Sequence, residues 1–226
     1  STAGTSNFRA GVNAGNSIES GGNNNTVVGD ESGTALTTGD SNTLVGTRSG
    51  DALTTAQYNV AIGHDALTTS ILGSRNIAIG TNALYATNPA SAVDMYNIAI
   101  GHNTGSAITT GTQNTIIGGL AGDAITTGQY NVAIGVDALS VEDTASKSVA
   151  VGTSALAVQN AGTVDAYNVA VGHNSGVNVT TGVNNTLIGG LAGDAITDAD
   201  ENVAVGMNSL STNTLGSSSV AIGHQA

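Results

Sequence analysis

The chain has 226 residues and a formal net charge of -12, and it contains 32 glycines, one proline, no cysteine and no tryptophan. Aromatic residues make up only 3% of it, so a large globular core of the kind found in most enzymes of this length is not expected. The acidic balance excludes nucleic acid and anionic membranes as main partners, because both need clustered lysine and arginine. Membrane insertion is not expected either, since no apolar run approaches the roughly 18 residues of a membrane span.

A five-residue block recurs from the beginning of the chain to its end. It consists of Asn, an apolar residue or Thr, a small or apolar residue, a β-branched residue and Gly, and it occurs thirteen times. Nine of the twelve intervals between the closing glycines are 17 residues, which indicates a repeat architecture. The closing glycines are Gly11, Gly29, Gly46, Gly63, Gly80, Gly101, Gly118, Gly135, Gly152, Gly172, Gly189, Gly206 and Gly223.

The 17-residue period predicts an all-β parallel solenoid of about thirteen coils. Seventeen residues are too few for a strand, a crossover helix and a second strand. They suit two short strands and two tight turns, stacked on the next coil at a strand separation of ~4.8 Å.

A longer period groups the coils in fours. Similar segments recur 72 and 71 residues apart, which divides the chain into super-repeats near 46–117, 118–188 and 189–226. The complete super-repeats each hold one lengthened coil, "YATNPASAVDMYN" at 85–97 and "AVQNAGTVDAYN" at 157–168. The chain is predicted to be a single repeat domain over 1–226 that belongs to a longer fibre.

The block is apolar on both faces of its predicted strand. Val or Ile precedes the closing Gly in twelve of the thirteen coils, and the residue two positions earlier shares its face. Because both faces are apolar, a second copy of the chain is predicted to cover the outer one. The small residues between the Val and Ile positions are predicted to face outward and to form the seam between copies: Ala61, Ala78, Ala99, Ala133, Ala150, Ala170, Ala204 and Ala221.

The first and last residues of the block have a predicted structural role. Stacked Asn side chains hydrogen-bond to one another and to turn backbone, and glycine supplies the positive φ of a sharp corner. The residues assigned this role are Asn59, Gly63, Asn76, Gly80, Asn97, Gly101, Asn114, Gly118, Asn131, Gly135, Asn168 and Gly172.

Blocks such as "NVAIGHDAL", "NIAIGTNAL" and "SVAVGTSAL" resemble the head repeats of trimeric autotransporter adhesins of the YadA type. Links such as "AITTGTQNTIIG" look still more like repeats in the tail-fibre proteins of phages, including cyanophages. The resemblance implies a left-handed parallel β-roll assembled as an intertwined or side-by-side homotrimer. It also implies Val and Ile inside each roll, with the small residues near the three-fold contacts. The coil is longer than is typical of adhesin heads.

No sequence motif indicates catalysis, so we expect no enzymatic activity, no cofactor and no metal. The "GGLAGD" segments lack the Lys of a phosphate loop. Asp198, Asp200 and Glu201 form one acidic cluster, the only one with the ligands for a divalent cation, but we do not expect it to bind one. The four histidines each follow a block glycine. If this position faced a three-fold axis, each could form a ring of three imidazoles able to bind a metal, but we prefer solvent-exposed side chains at the coil corners. They are His64, His102, His173 and His224.

The position before the block Asn holds bulky polar residues, with Tyr in every second coil of its central part. Such groups do not fit inside a narrow roll and are predicted to face outward. An exposed row of aromatic and cationic side chains suits stacking on sugar rings, whereas cover for neighbouring coils is the structural alternative. This predicted glycan-contact ladder consists of Tyr58, Arg75, Tyr96, Gln113, Tyr130, Lys147 and Tyr167.

The sequence therefore predicts a structural and adhesive fibre segment of a virion tail fibre, or of another extracellular or cell-surface fibre, that supports attachment to a host. Its predicted partners are further copies of itself and a host cell-surface polysaccharide. The head of a bacterial trimeric autotransporter adhesin is the alternative. A polysaccharide depolymerase lacks an identifiable carboxylate pair, and an ice-binding face lacks an uninterrupted Thr column.

Overall fold

The computed structural model describes residues 4–226 and contains strands and turns but no helix in that range. It is a parallel β-solenoid with thirteen stacked block strands, which confirms the predicted fold class and the coil period. The chain divides into two compact units, Ser1–Gln113 and Asn114–Ala226. The predicted coil design recurs within each of them.

The first unit holds six block strands, and successive ones within the unit are paired in parallel. Equivalent residues of successive blocks lie side by side, so the 17-residue period sets the register. The block strands are β1 (Phe8–Ala10), β2 (Thr26–Val28), β3 (Thr43–Val45), β4 (Val60–Ile62), β6 (Ile77–Ile79) and β8 (Ile98–Ile100). A separate parallel pair joins β5 (Gly73–Ser74) to β7 (Val93–Asp94).

The second unit repeats this arrangement with seven block strands in sequence order. They are β9 (Thr115–Ile117), β10 (Val132–Ile134), β11 (Val149–Val151), β12 (Val169–Val171), β13 (Thr186–Ile188), β14 (Val203–Val205) and β15 (Val220–Ile222). A single parallel bridge between Ser146 and Asp165 occupies the place that the β5–β7 pair has in the first unit.

Most coils contain one strand, so the prediction of two strands per coil is wrong. The cause is backbone conformation: Tyr58, Asp65 and Leu67 have φ values of 58°, 56° and 55°, and the equivalent positions are left-handed in other coils. A strand has negative φ throughout. The turns still stack by hydrogen bonds, as where the Leu67 N–H donates to the Ala83 carbonyl at 3.0 Å.

The predicted orientation of the block strand is also wrong. All eight alanines assigned to the subunit seam point into their own coil, and seven of them have no exposed surface while Ala221 is 8% exposed. The flanking Val and Ile side chains point outward instead, as at Ile62, which is 37% exposed. Alanines that are buried in their own coil cannot form a seam between copies.

At five of the eight alanines the residue six positions later, in the turn, is leucine. Ala61, for example, is followed six residues later by Leu67, and both are fully buried. The same small-and-large pairing joins Ala78 to Leu84, Ala133 to Leu139, Ala150 to Leu156 and Ala204 to Leu210. Where the strand residue is large the turn residue is glycine, as in the pairs Val27 and Gly33, Leu44 and Gly50, Ile116 and Gly122, and Leu187 and Gly193.

Two alanines depart from this pattern, because Ala99 and Ala170 are followed six residues later by Gly105 and Gly176. At Gly176 large side chains from the adjacent coils occupy the space, since an added Cβ would lie 2.7 Å from Leu187 Cδ1 and 3.0 Å from Leu156 Cδ2.

The interior of a coil offers little space beside the strand residue. An added Cβ at Gly50 would lie 2.8 Å from a Leu44 methyl group, so the Leu44 side chain would have to shift to make room for it. Leu67 occupies the equivalent site with a φ of 55°, a left-handed conformation that costs a non-glycine residue about 1–2 kcal/mol. Burial of its side chain offsets that strain, because full burial of a leucine contributes about 1.5–3 kcal/mol.

The asparagines form the predicted ladder, and the prediction is confirmed. In one rung, Asn59 Oδ1 accepts the backbone N–H of Asn76 at 2.9 Å and its Nδ2 donates to the Gly73 carbonyl at 3.0 Å. The block glycines stack in the same way, with a φ of 136° at Gly63. A Cβ there would lie 2.6 Å from the Gly80 carbonyl oxygen, so only glycine fits the corner.

Ser148 interrupts the ladder, and Gln159 replaces the missing amide. The Gln159 Nε2 donates to Ser148 Oγ at 2.9 Å. Its Oε1 accepts from Asn168 Nδ2, the next rung, at 2.8 Å. The Nε2 also donates to the fully buried Glu142 carboxylate at 2.8 Å, and the other Glu142 oxygen accepts the Ala145 N–H at 2.8 Å. This buried network was not predicted from the sequence.

Candidate functional site

The predicted ladder residues lie on the outside of the coils, one position before the buried asparagine, or before the buried Ser148 in the case of Lys147. Tyr58, Tyr96, Tyr130 and Tyr167 are between 48% and 52% exposed. All seven members have positive φ, which turns the chain sharply just before each strand. The outward orientation of this column agrees with the prediction, while glycan binding stays a prediction.

The column is not a uniform row, because its central members in the first unit form a compact cluster. The Arg75 guanidinium carbon lies 4.6 Å from the ring centroid of Tyr58 and 5.8 Å from that of Tyr96. Arg75 Nε lies 2.9 Å from an Asp94 carboxylate oxygen, a distance typical of an ion pair, although the angle is not that of a good hydrogen bond. Contact with Asp94 raises the pKa of Arg75. We call Tyr58, Arg75, Asp94 and Tyr96 the first cluster.

Asp94 reaches this position because the lengthened coil doubles back beside the column. Strand β7 pairs with β5 so that Asp94 lies opposite Ser74, the residue before Arg75. The sequence analysis missed Asp94. The signal that identifies it is the shared "VD" in "VDMYN" and "VDAYN", which places an Asp two residues before a column Tyr in both lengthened coils.

The second unit carries an equivalent set of residues, Tyr130, Lys147, Asp165 and Tyr167, which we call the second cluster. Lys147 Nζ lies 2.6 Å from an Asp165 carboxylate oxygen and 3.1 Å from the Tyr167 hydroxyl. The hydrogen bond to Asp165, together with the one to Tyr167, raises the pKa of Lys147. The second cluster follows the first at an offset of 72 residues for Tyr130 and Lys147, and of 71 for Asp165 and Tyr167.

A groove of about 630 Å³ opens beside the first cluster. Tyr58, Arg75 and Asp94 line it together with the polar residues Thr55, Gln57 and Ser74. The Ser74 hydroxyl accepts the backbone N–H of Gln57 at 3.0 Å, which ties two adjacent coils together at the base of the groove. The groove therefore offers an aromatic ring, a cation, a carboxylate, an amide and hydroxyls within one small area.

The other candidate residues are not brought together. The four histidines are exposed at coil corners, in agreement with the solvated-corner reading, and His64 Nδ1 lies 3.0 Å from Asp65. Asp198 accepts from Thr181 at 3.1 Å, Asp200 from the Val183 N–H at 2.8 Å and Glu201 from Ser218 at 3.0 Å. These carboxylates bond in different directions, and residues 4–226 contain no cluster of three or more His, Asp or Glu suited to a metal ion.

An aspartate that follows glycine recurs in each super-repeat, as Asp51, Asp123 and Asp194, and its side chain is partly buried. Asp51 Oδ1 has no hydrogen-bond partner among the described residues, and burial raises the pKa of the Asp51 carboxyl above its usual value of 3.8. The Asp51 carboxyl therefore binds its proton more tightly in the folded state than in the unfolded chain. Stability from this group is present at low pH and is lost as pH rises through the raised folded pKa.

Replacing Asp51 with Asn is expected to raise the melting temperature at pH 7, with a gain that shrinks as the pH falls below 3.8, where the carboxyl becomes protonated in both states. Thermal melts of the wild type and the variant across this pH range provide the measurement. The control is Glu19→Gln, which removes one negative charge from an exposed site. Equal gains for both variants at pH 7 would show that relief of net charge, and not burial of Asp51, is the cause.

The block strands present a further surface, formed by the first and third residues of each strand. In β2, β4 and β6 these residues are Thr26 and Val28, Val60 and Ile62, and Ile77 and Ile79, and all are half-buried or exposed. The same pattern holds from β9 to β14. We call this surface the outer sheet face. From β2 onward it contains only Val, Ile and Thr.

No protein-family model matches the chain, and no curated protein matches it significantly. The described residues also include no helix with the length and hydropathy needed to cross a membrane.

Proposed function

We propose that the chain is a structural and adhesive segment of an extracellular fibre that assembles with further copies of itself, as a homotrimer. The observation that carries the proposal is the outer sheet face, where Val and Ile side chains are half-buried or exposed along successive strands. Ile62, Ile100, Val171 and Ile188 are between 36% and 40% exposed. Monomeric proteins rarely leave extended apolar patches of this kind uncovered.

A second copy of the chain is the occupant that fits this face best. The face carries no charge from β2 onward, so two chains of net charge -12 can approach there without placing like charges together. A second copy also has the same coil period, so rows of β-branched side chains on the two surfaces match in spacing. The trimeric number and left-handed winding rest on the resemblance to fibre and adhesin repeats.

The adhesive part of the proposal rests on the exposed tyrosine column, which lies on a different part of the coil from the outer sheet face. A fibre buried along its sheet would still present this column to a host surface. A viral tail fibre is the favoured setting, with a bacterial adhesin head as the alternative. The location is accordingly a virion or a cell surface, and the proposal includes no catalytic step.

Charge on the outer sheet face is the direct test of assembly. Val132→Asp combined with Ile134→Asp puts two carboxylates on β10, where burial against another copy would cost several kcal/mol each. We expect this variant to sediment as a monomer with an unchanged far-ultraviolet circular dichroism spectrum. Val136→Asp is the matched control, because Val136 is 49% exposed at the adjacent corner, outside the face. Equal assembly of all three proteins would contradict the proposed interface.

A further inference from the structure

We propose that the groove beside the first cluster, and the equivalent residues of the second cluster, are two binding sites for uncharged hexose residues of a polysaccharide. This inference deepens the proposed adhesive function and rests on it. It replaces a continuous ladder of contacts with two discrete sites, one in each compact unit.

The lining of the groove has the chemistry that a sugar ring requires. Tyr58 lines the groove, and Tyr96 lies beside it on Arg75. Both rings are half exposed, and tyrosine combines a flat apolar face for the C–H side of a sugar with a polar hydroxyl. Gln57 and Thr55 line the groove with an amide and a hydroxyl, groups that both donate and accept hydrogen bonds. A volume of about 630 Å³ falls in the range of small-ligand sites, about 300–1,000 Å³.

The charge distribution selects an uncharged ligand. Arg75 is one of only four cationic residues in a chain with sixteen acidic ones, and Asp94 already lies 2.9 Å from its guanidinium. An acidic sugar in the groove would meet the Asp94 carboxylate and the negative field of the whole chain. A neutral hexose meets no such repulsion, and its hydroxyls can donate to Asp94 while accepting from Arg75.

The duplication indicates that this set of residues is not a by-product of coil stacking. Thr55, Gln57, Tyr58, Ser74, Arg75 and Asp94 correspond to Thr127, Gln129, Tyr130, Ser146, Lys147 and Asp165. The Gln129 N–H donates to Ser146 at 2.9 Å, as Gln57 does to Ser74. Coils outside the clusters form the same ladder with Asn184 or Glu201 in the column, so stacking alone does not require tyrosine there.

Two sites on each chain would raise affinity for a polymer through effective concentration, because one polymer that reaches both sites binds the second intramolecularly. A long neutral polysaccharide is therefore expected to bind more tightly than its own short oligosaccharide. The single-site variant Asp94→Asn should remove most of that difference while leaving oligosaccharide binding at the second cluster.

The test uses the full 226-residue chain on an array of neutral hexose polymers and of uronate- and sialate-containing glycans. We expect the wild type to bind at least one neutral polymer, with little change between low and moderate salt. Asp94→Asn combined with Asp165→Asn should weaken that binding at least tenfold and increase binding of acidic glycans, since Arg75 and Lys147 would lose their partners. Tyr85→Ser is the control, because Tyr85 is 42% exposed and lies outside both clusters.

Binding of acidic glycans in preference to neutral ones by the wild type would overturn the inference, as would loss of binding in the Tyr85 control equal to that in the double variant. Absence of binding to every neutral polymer would overturn it too. If the wild type assembles through its outer sheet face but binds no glycan, the two sites fail while the fibre assignment stands. If the wild type binds neutral polymers as a monomer, the two proposed binding sites are supported and the proposed assembly is contradicted.

Discussion

Replacing Leu139 with glycine is expected to lower the free energy of unfolding by about 2–4 kcal/mol, and adding Ala133→Leu to that variant should restore most of the loss. Leu139 is fully buried, and truncation of a buried leucine typically costs about 2–5 kcal/mol, from which relief of its left-handed strain is subtracted. Ala133→Leu alone should destabilise by about 1–3 kcal/mol or more, because Leu139 already occupies the space.

The double variant is expected to fold because the chain already contains its design. Its altered coil would have the large strand residue and the turn glycine that the preceding coil has in Ile116 and Gly122, and the next coil would keep Ala150 and Leu156. The first unit has this order in Val27 and Gly33, Leu44 and Gly50, and Ala61 and Leu67. Urea denaturation of the four proteins measures the coupling. Losses that simply add would show that the two positions do not share one space.

Replacing Asn131 with leucine should have the second large effect, a loss of about 2–5 kcal/mol. Asn131 is fully buried, its Oδ1 accepts the Ser148 N–H at 2.9 Å and its Nδ2 donates to the Ala145 carbonyl at 3.0 Å. Leucine has a similar volume but satisfies neither group, and each buried polar group without a partner costs about 1–3 kcal/mol.

The matched control is Asn160→Leu, which makes the same change at an exposed turn of the lengthened coil. Thermal and urea unfolding of the two variants provide the measurement. The natural interruption at Ser148 supports the expected size of the effect, because there the buried Gln159 amide takes over the bond to Asn168. Equal stability of the two variants would show that the ladder contributes no more than ordinary turn residues.

The sequence was sufficient for the period, the parallel stacking and the structural role of the Asn and Gly positions. These features follow from local rules. The 17-residue spacing sets the register, and a coil corner that stacks on the equivalent corner of the next coil has room only for glycine. The sequence did not determine which strand face lies inside. Alternation places Ala61 on one face of the strand and Val60 and Ile62 on the other. All three residues are apolar, so the period alone does not show which face points into the coil. The reciprocity between Ala61 and Leu67, six residues apart, carries that information.

The candidate site was predicted only in part, for a similar reason. The outward column followed from residue size, since Tyr58 and Arg75 cannot enter a narrow coil. Its grouping into two clusters depends on Asp94 and Asp165, which the lengthened coils bring back beside the column. That approach is a tertiary contact between residues about twenty positions apart and has no periodic signature.

The native mass of the purified chain tests the central claim of a self-assembling fibre segment most directly. Mass measurement under non-denaturing conditions, with the outer sheet face intact, should give three times the chain mass of 22.0 kDa. The complex should also persist on dilution until the chain unfolds. A folded species of 22.0 kDa that stays monomeric at all concentrations would contradict the claim, because the Val and Ile side chains of the outer sheet face would then be stable in water without a partner.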